Sequence, residues 1–352
     1  MNLAARIVAR PLKKPPLASS LAEYQWSLGI PFFLLHLLPL GALWSGAHLR
    51  DFVVCAVLYF VRMFGVTGVY HRYFSHRTYK TSRWFQFVLA CVAQSSAQKG
   101  ALWWAAHHRT HHKYSDQPGD PHSSKRGFWY SHVGWILDRT DETDYSKIKD
   151  LAKYPELVIL NVIPNICSTA LGVAVYLLFG WSGLFIGFGL STVLLWHGTF
   201  TINSLAHMIG KPRYDAGDNS KNSFILALIT LGEGWHNNHH YFQGCTRQGF
   251  FWWEIDITYY ILKMLSWVGL VWDSEAAPRA RLRSEEHAHP RARPRSARRC
   301  RRGRTRLDAE RDAGSGRGII RVRQSGAAAG SPELRLAVGA LGEPRSGGGR
   351  TR

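Results

Sequence analysis

Four stretches of this chain hold apolar residues almost without interruption for about twenty positions, the length that crosses a hydrocarbon core of about 30 Å. They run roughly over 27–46 (SLGIPFFLLHLLPLGALWSG), 51–70, 157–179 and 183–204. Only the connector HLRD separates the first two, and only the Gly180–Gly183 region the last two. The pattern predicts an all-α integral membrane protein with four transmembrane helices in two hairpins. Segment 84–97 is apolar but short and drifts into Gln and Ser, which predicts an interfacial or re-entrant piece. Segment 250–272 carries Glu254, Asp256 and Lys263 among four Trp, so it is expected to lie in the membrane interface.

Charge orients this arrangement. Lys and Arg crowd the N-terminal segment, the 71–156 loop and everything after 207, while the short connectors hold almost none apart from Arg50. By the excess of basic residues on the inner side, both termini and the large loop are expected in the cytoplasm, where they form a helical cap; a bacterial inner membrane is the expected location. Arg6, Arg10, Lys13 and Lys14 precede Pro15-Pro16 and the first apolar run, and no small-residue cleavage site follows, so no secretory signal is expected. The five cysteines lie far apart without a CxxC pair, which points to neither a disulfide framework nor a zinc ribbon. The domain reading is therefore a cytoplasmic segment 1–26, a membrane domain 27–273 and a tail 274–352.

The formal charge of +20 belongs mostly to that tail. Residues 274–352 hold 20 Arg, no Lys and 8 acids, a net of +12, and the other 273 residues carry +8. All 45 aromatics precede it. Such a composition buries too little apolar surface to order itself; a disordered tail and an out-of-frame stretch both fit. Clustered Arg attracts phosphate, yet nothing else accompanies it, so no nucleic-acid partner is expected.

Seventeen histidines carry the chemistry. Three clusters stand out: His71-Arg-Tyr-Phe-Ser-His76, His107-His108-Arg-Thr-His111-His112 and His236-Asn-Asn-His239-His240. Spacings of three and four put the rings of the second and third on one helical face. The spacing of five in the first does not share a face of a straight α-helix, and its rings are expected to flank a helix end. Each cluster sits at or beyond the end of a span. Imidazoles suit iron, zinc or copper, and since a zinc site takes about four ligands, at least eight offered rings imply two metals. His36, His48, His132 and His197 stand apart and read as packing or interfacial residues.

These three boxes resemble those of the membrane fatty acid desaturases. The flanking strings DQPGDPHSSKRGFWYSHVGW at 116–135, NSLAHMIG at 203–210 and GEGWHNNHH at 232–240 are similar to the stearoyl-CoA Δ9 branch, over about residues 25–273. The resemblance implies a cytoplasmic di-iron centre (two Fe2+, with O2 as co-substrate) ligated by His71, His76, His108, His111, His112, His207, His236, His239 and His240, with Asn203 reaching a metal through water. His107 matches a non-histidine position of the animal branch and is left out. QKGALWW at 98–104 departs from the animal pattern and looks bacterial, which leaves the acyl carrier open between acyl-CoA, the first expectation, and acyl-lipid. No HPGG haem string occurs, so a separate electron donor, of ferredoxin or cytochrome b5 type with its reductase, is expected.

Abstracting hydrogen from an unactivated methylene pair needs an oxidant made at a metal site. Each ligating ring needs a partner on its other nitrogen, for which Asp116, Asp120, Asp138, Glu233 and Asn237 are candidates. Trp103, Trp104 and Trp235 are candidate channel walls. Tyr59 and Met63, four apart on the second span, are a candidate channel floor. Lys125, Arg126 and Arg139 are candidates for meeting a head group or donor, with solvated loop charge as the alternative. A membrane hydroxylase or alkane oxygenase shares the boxes, but the GDPH and NSLAH strings favour desaturation. A histidine-rich zinc transporter or sensor would place its ligands inside the spans, not at their ends. Truncation after Asp273 is expected to leave membrane expression and lipid unsaturation unchanged, as fatty-acid analysis of cells expressing each form would show.

Overall fold

The computed structural model describes residues 3–8, 24–138 and 142–274. Arg139 and the tail from 275 on lie outside the described residues. The chain is mostly helical. Among the described residues, three helices are long and apolar enough to cross a membrane: Trp26–Ser45, Leu49–Ser75 and Ile166–Met208. Their outward faces present large apolar side chains such as Leu34, Leu43, Phe52 and Leu177, which suits lipid and not water.

The third of these, 43 residues long, is not straight. Gly180 takes φ 71° and ψ −163°, a conformation open to glycine at little cost. A Cβ added at Gly172 would lie 3.4 Å from Phe188, and one at Gly187 would lie 3.6 Å from Val175. Residues sixteen apart on a straight helix are separated by about 24 Å. The two arms therefore fold back on each other about Gly180.

The expected span over 157–179 starts late. Pro155–Val162 is a separate helix, and Ile163 leaves the helical region at φ −113°, ψ 69° because the proline that follows disfavours α geometry before it. Leu157 and Val158 pack in the core with Leu102 and Leu151. Leu157, Val158 and Leu160 thus serve a protein core while Ile159 and Val162 stay exposed, and the long helix begins at Ile166.

In the second long helix, ordinary α geometry over Leu49–Phe64 gives way to a wider π-wound turn over Gly65–Ser75. There the His76 N–H donates to the His71 carbonyl, five residues back, at 3.2 Å. Winding of this kind is uncommon and recurs at functional sites. It stacks positions five apart, so the two rings do not flank the helix end as expected; they share a face, with centroids 4.8 Å apart. Gly65 lets the helix Arg83–Gln94 come close, since a Cβ there would lie 2.9 Å from Ala93 Cα. That helix buries Gln86, Leu89, Ala90, Ala93 and Gln94 and exposes Trp84, Phe87 and Val88, the amphipathic pattern of an interfacial element. In the 250–272 segment, the helix Ile257–Trp267 buries Thr258 and Leu262 while Trp252 and Trp267 stay exposed.

Two polar devices lock the helices together. Fully buried Arg72 donates to Glu233 Oε1 at 3.0 Å, to Asp256 Oδ2 at 3.0 Å and to the Thr246 carbonyl at 2.7 Å, joining the second helix to the third histidine segment and the C-terminal helix. The short antiparallel pairing of Lys80–Thr81 with Val271–Trp272 fastens the same edge. Elsewhere His36 Nε2 meets His197 Nε2, His197 Nδ1 meets His132 Nε2, and His132 Nδ1 meets Ser204 Oγ, each at 3.0 Å. The isolated histidines thus tie the first long helix to the returning arm, and hydrogen bonds between helices serve where apolar packing cannot discriminate protein from lipid. His48 meets Asp51 at its own helix start.

Removing the Arg72 guanidinium would take away the cationic partner of the buried Glu233 and Asp256 carboxylates. Arg72→Leu is expected to destabilise the protein by about 3–5 kcal/mol, read as a fall in thermal unfolding temperature of the detergent-solubilised protein relative to Arg77→Leu.

Candidate metal centre

The helix Ala101–Tyr114 brings His108, His111 and His112 against the π-wound end of the second long helix. The short helix His236–Tyr241 supplies the third set, and Leu205–Met208, beyond the returning arm, supplies His207. Two groups result. In one, the ring nitrogens of His71, His76, His108, His112 and His239 lie within 4.8 Å of one another; in the other, so do those of His111, His207, His236 and His240. All nine histidines named from the sequence fall in these groups. Asn203 lines the cavity beside them with His108, His111 and His236.

The tautomers follow from the outer partners. Glu233 Oε2 lies 2.5 Å from His71 Nδ1, Asp116 Oδ2 2.8 Å from His207 Nδ1, Asp120 Oδ1 2.9 Å from His111 Nδ1, and Asp218 Oδ2 2.6 Å from His240 Nδ1. A carboxylate only accepts, so each of these Nδ1 atoms carries the proton and each Nε2 presents a lone pair. The Nε2 atoms of the two groups face one another. His239 Nε2 sits 3.0 Å from both His71 Nε2 and His112 Nε2, His76 Nε2 2.9 Å from His108 Nε2, and His207 Nε2 3.0 Å from His236 Nε2. His240 Nε2 is buried with no hydrogen-bond partner. Imidazole nitrogens converging in a buried site can offer lone pairs to a cation, so this donor set fits a metal ion in each group.

Protonation states agree at most of these rings; His111 is the exception, where burial would lower the ring but Asp120 raises it above the usual histidine range. Burial, reinforced by neighbouring imidazoles, holds His108, His112, His236 and His239 well below the usual histidine range. Burial would raise the Asp116 and Asp120 carboxyls, yet their imidazole partners hold both below the usual carboxylate range. Asp218 is held low in the same way by His240.

Of the expected outer partners, Asp116, Asp120 and Glu233 meet ligating rings. Asp138 instead accepts from the Tyr130 hydroxyl at 3.0 Å, and Asn237 Oδ1 accepts from the Arg213 and Tyr214 amides. Sequence reasoning missed Asp218, which stands in the loop DAGDNSKNS with no spacing relation to His240.

The aromatic candidates divide. Trp103 and Trp104 line the cavity of about 60 Å³ beside the histidines and stack on His107 and His108, with centroids 4.6 and 4.9 Å apart. Trp235 instead donates to the Ile255 carbonyl at 2.8 Å and borders neither that cavity nor its larger neighbour. Met63 lines the small cavity, whereas Tyr59 lies behind it with its hydroxyl on the Ile229 carbonyl at 2.7 Å. Lys125 is exposed, and Arg126 lies over the Tyr130 ring.

The sequence model of the fatty acid desaturase family matches residues 47–266. This chain belongs to that family. It is 33% identical over 258 residues to the sn-2 palmitoyl-lipid 9-desaturase of Nostoc sp. (strain 36), covering 70% of this chain and 89% of the relative. Identity to the sn-1 stearoyl-lipid 9-desaturase of Anabaena variabilis is 37% over 217 residues, 61% of this chain and 80% of the relative. An acyl-CoA C20 Delta5-desaturase of Anemone leveillei is 36% identical over 231 residues, 64% of this chain and 73% of the relative. In this member of the desaturase family the paired histidine groups could hold metal ions.

Burial sets the acid limit of that site. It pushes the His240 ring down to about 4, against the pull of Asp218, while an unfolded histidine titrates near 6.5. A group with a depressed folded pKa makes the unfolded state bind more protons between the two values, so its stabilising contribution is complete above about pH 6.5 and is lost towards pH 4. Metal retention and thermal stability are therefore expected to fall together as pH drops below about 6.5. Asp218→Asn is expected to weaken metal binding about 10–100-fold, the usual cost of losing an outer-shell partner, measured by competition with a chelator.

Proposed function

We propose that this desaturase introduces a cis double bond at the Δ9 position of a saturated fatty acyl chain, consuming O2 and two electrons. What carries the reading is the pair of imidazole groups beside a small apolar cavity, within a family whose relatives are named as 9-desaturases. Five rings (His71, His76, His108, His112, His239) would hold one iron; four (His111, His207, His236, His240), with Asn203 through water, would hold the other. Iron held there would supply the redox chemistry with O2 that removes two hydrogens from adjacent methylenes. The protein's part is to aim the rings, four of them through Asp116, Asp120, Asp218 and Glu233, and to exclude water. Trp103, Trp104 and Met63 would bound the reacting segment of the chain, and Tyr59 would back Met63.

The carrier divides the readings. Two of the relatives above are named for lipid substrates, which supports a membrane glycerolipid; the acyl-CoA relative and the flanking strings keep acyl-CoA as the second reading. The hairpin at Gly180 supports four membrane crossings in two hairpins, with the histidine groups in a cap at their cytoplasmic ends and both termini on that side of a bacterial inner membrane. Electrons would come from a separate ferredoxin or cytochrome b5 type protein and its reductase.

Purified protein is expected to hold about two irons per chain by elemental analysis, given ligands for two sites of four to five donors. His71→Ala, His108→Ala and His236→Ala should each lose desaturation while inserting normally, as judged by lipid unsaturation in a host lacking its own desaturase. Stoichiometric zinc in iron-replete cells, or full activity of the His239→Ala, His240→Ala double variant, would overturn the reading.

A further inference from the structure

Three histidines outside the metal groups, His36, His197 and His132, form an unbroken line of hydrogen bonds. His36 Nδ1 meets the Phe32 carbonyl at 2.7 Å, one turn back on the first long helix. His36 Nε2 meets His197 Nε2, His197 Nδ1 meets His132 Nε2, and His132 Nδ1 meets Ser204 Oγ, each at 3.0 Å. The Ser204 hydroxyl in turn donates to the Phe200 carbonyl at 2.8 Å. A carbonyl therefore closes the line at each end, and a carbonyl only accepts.

That fixes a proton count. Five hydrogen bonds need five protons. Three neutral rings bring one each and the hydroxyl brings a fourth, so the neutral line is one short. One link would then face two lone pairs, at the cost of a buried polar group left unsatisfied. With one further proton every link is made, and the three rings share a single positive charge. The charged side chains on the elements packed around them are engaged elsewhere. Arg62 donates to Ser191 and Thr192, Arg126 and Asp138 meet each other and Tyr130, and His207 Nδ1 faces Asp116. Burial by itself lowers the His132 ring. The line opposes that, because a hydrogen bond with a charged member is roughly twice as strong as a neutral one.

The line ends where the returning arm breaks. Ser204, at φ −106° and ψ −75°, separates the arm's last residue, Asn203, from the short helix Leu205–Met208 that carries His207. The Ser204 N–H and hydroxyl both go to the Phe200 carbonyl, and the His207 N–H donates to the Ser204 carbonyl at 3.1 Å. His132 and Ser204 are both buried, and Phe128 stacks on the His132 ring with centroids 5.0 Å apart. We propose that His132, sharing one positive charge with His197 and His36, is a positioning residue for the second histidine group. It pins the break at Ser204 that presents Asn203 and His207, and it ties that break to the first long helix. The positioning role rests on the metal-site reading above; the proton count does not.

The charge is read from solid-state nitrogen-15 spectra of the full chain, labelled at both histidine ring nitrogens and reconstituted in phosphatidylglycerol vesicles. At about pH 8 an ordinary histidine is neutral, and imidazolium and neutral rings give distinct signals. In His36→Leu one carbonyl end is gone, and the three remaining links need only the protons of two neutral rings and the hydroxyl. The parent-minus-variant difference should therefore be one imidazolium per chain, whichever ring holds the charge. A difference of one neutral ring would overturn the shared charge. Positioning is read by competition between the protein and a chelator for Fe2+. His132→Leu should weaken one of the two bound equivalents about tenfold, the low end for loss of an outer-shell partner, and spare the other. Ser204→Ala, which removes the same link from the opposite side, should match it and carries the measurement if His132→Leu does not fold. His132→Asn, whose amide can still reach Ser204, should restore the affinity. Unchanged affinity in Ser204→Ala, or equal weakening of both equivalents, would overturn the positioning role. A parent that binds no Fe2+ would remove the metal reading and the positioning role together, and the spectra would still decide the charge.

Discussion

Nine imidazole nitrogens can be pointed at one another inside a protein only if their protons are held elsewhere. A neutral ring has one proton and two nitrogens, and in an apolar interior whichever nitrogen lacks a partner costs free energy. At four of the nine rings buried carboxylates settle the matter by meeting the Nδ1 of His71, His111, His207 and His240, whereas Nδ1 of His112, His236 and His239 is buried without such a partner. The helix ends, the packing of Arg72 and the loop carrying Asp218 all serve to place those carboxylates. Without them the rings could satisfy themselves by turning outward, and the convergence of lone pairs would be lost.

The same carboxylates resolve an electrostatic difficulty. Neutral imidazoles leave the charge of a bound metal uncompensated, and buried charge is expensive unless paired. Two divalent ions, as proposed, bring four positive charges, and Arg72 a fifth. Asp116, Asp120, Asp218, Glu233 and Asp256 bring five negative ones, all buried or nearly so and all hydrogen-bonded to a ring or to Arg72. The loaded centre is neutral as a unit, although no carboxylate need touch a metal. Compensation at one remove keeps the ligand field purely imidazole, which distinguishes this site from helix-bundle di-iron centres that use Glu and Glu-x-x-His.

Much of this was legible in the chain. Long apolar runs and histidine spacings of three and four speak through simple periodicity, whereas the set of nine rings, with His207 included and His107 left out, came from the resemblance to the desaturases. The first box shows the limit of that reasoning. Its spacing of five looked wrong for a helix because α winding was assumed, whereas π winding over Gly65–Ser75 makes five the natural repeat. Asp218 could not be found because its relation to His240 is set by tertiary folding of a loop, to which no periodicity applies. The third apolar run misled for a different reason: hydropathy cannot separate a residue buried in lipid from one buried in protein, and Leu157 and Val158 belong to the second class. Pro164 was the available signal for the break.

The position of the centre follows from combining these constraints. A site facing only lipid would be cut off from a water-soluble electron donor, and one facing only water could not keep its imidazoles neutral and its oxidant away from solvent. Here the second long helix delivers His71 and His76 at its last turns, while Trp103 and Trp104 close the apolar side. Continuous helix from Leu49 to Ser75 means that the apolar span and the first ligand pair are one rigid body, so the depth of the metal groups relative to the bilayer is fixed by the length of a helix and not by a loop. A chain whose reacting carbons are selected by distance from its head group needs that fixed depth. The wide turn that aligns His71 with His76 is therefore also what ties the chemistry to the membrane surface.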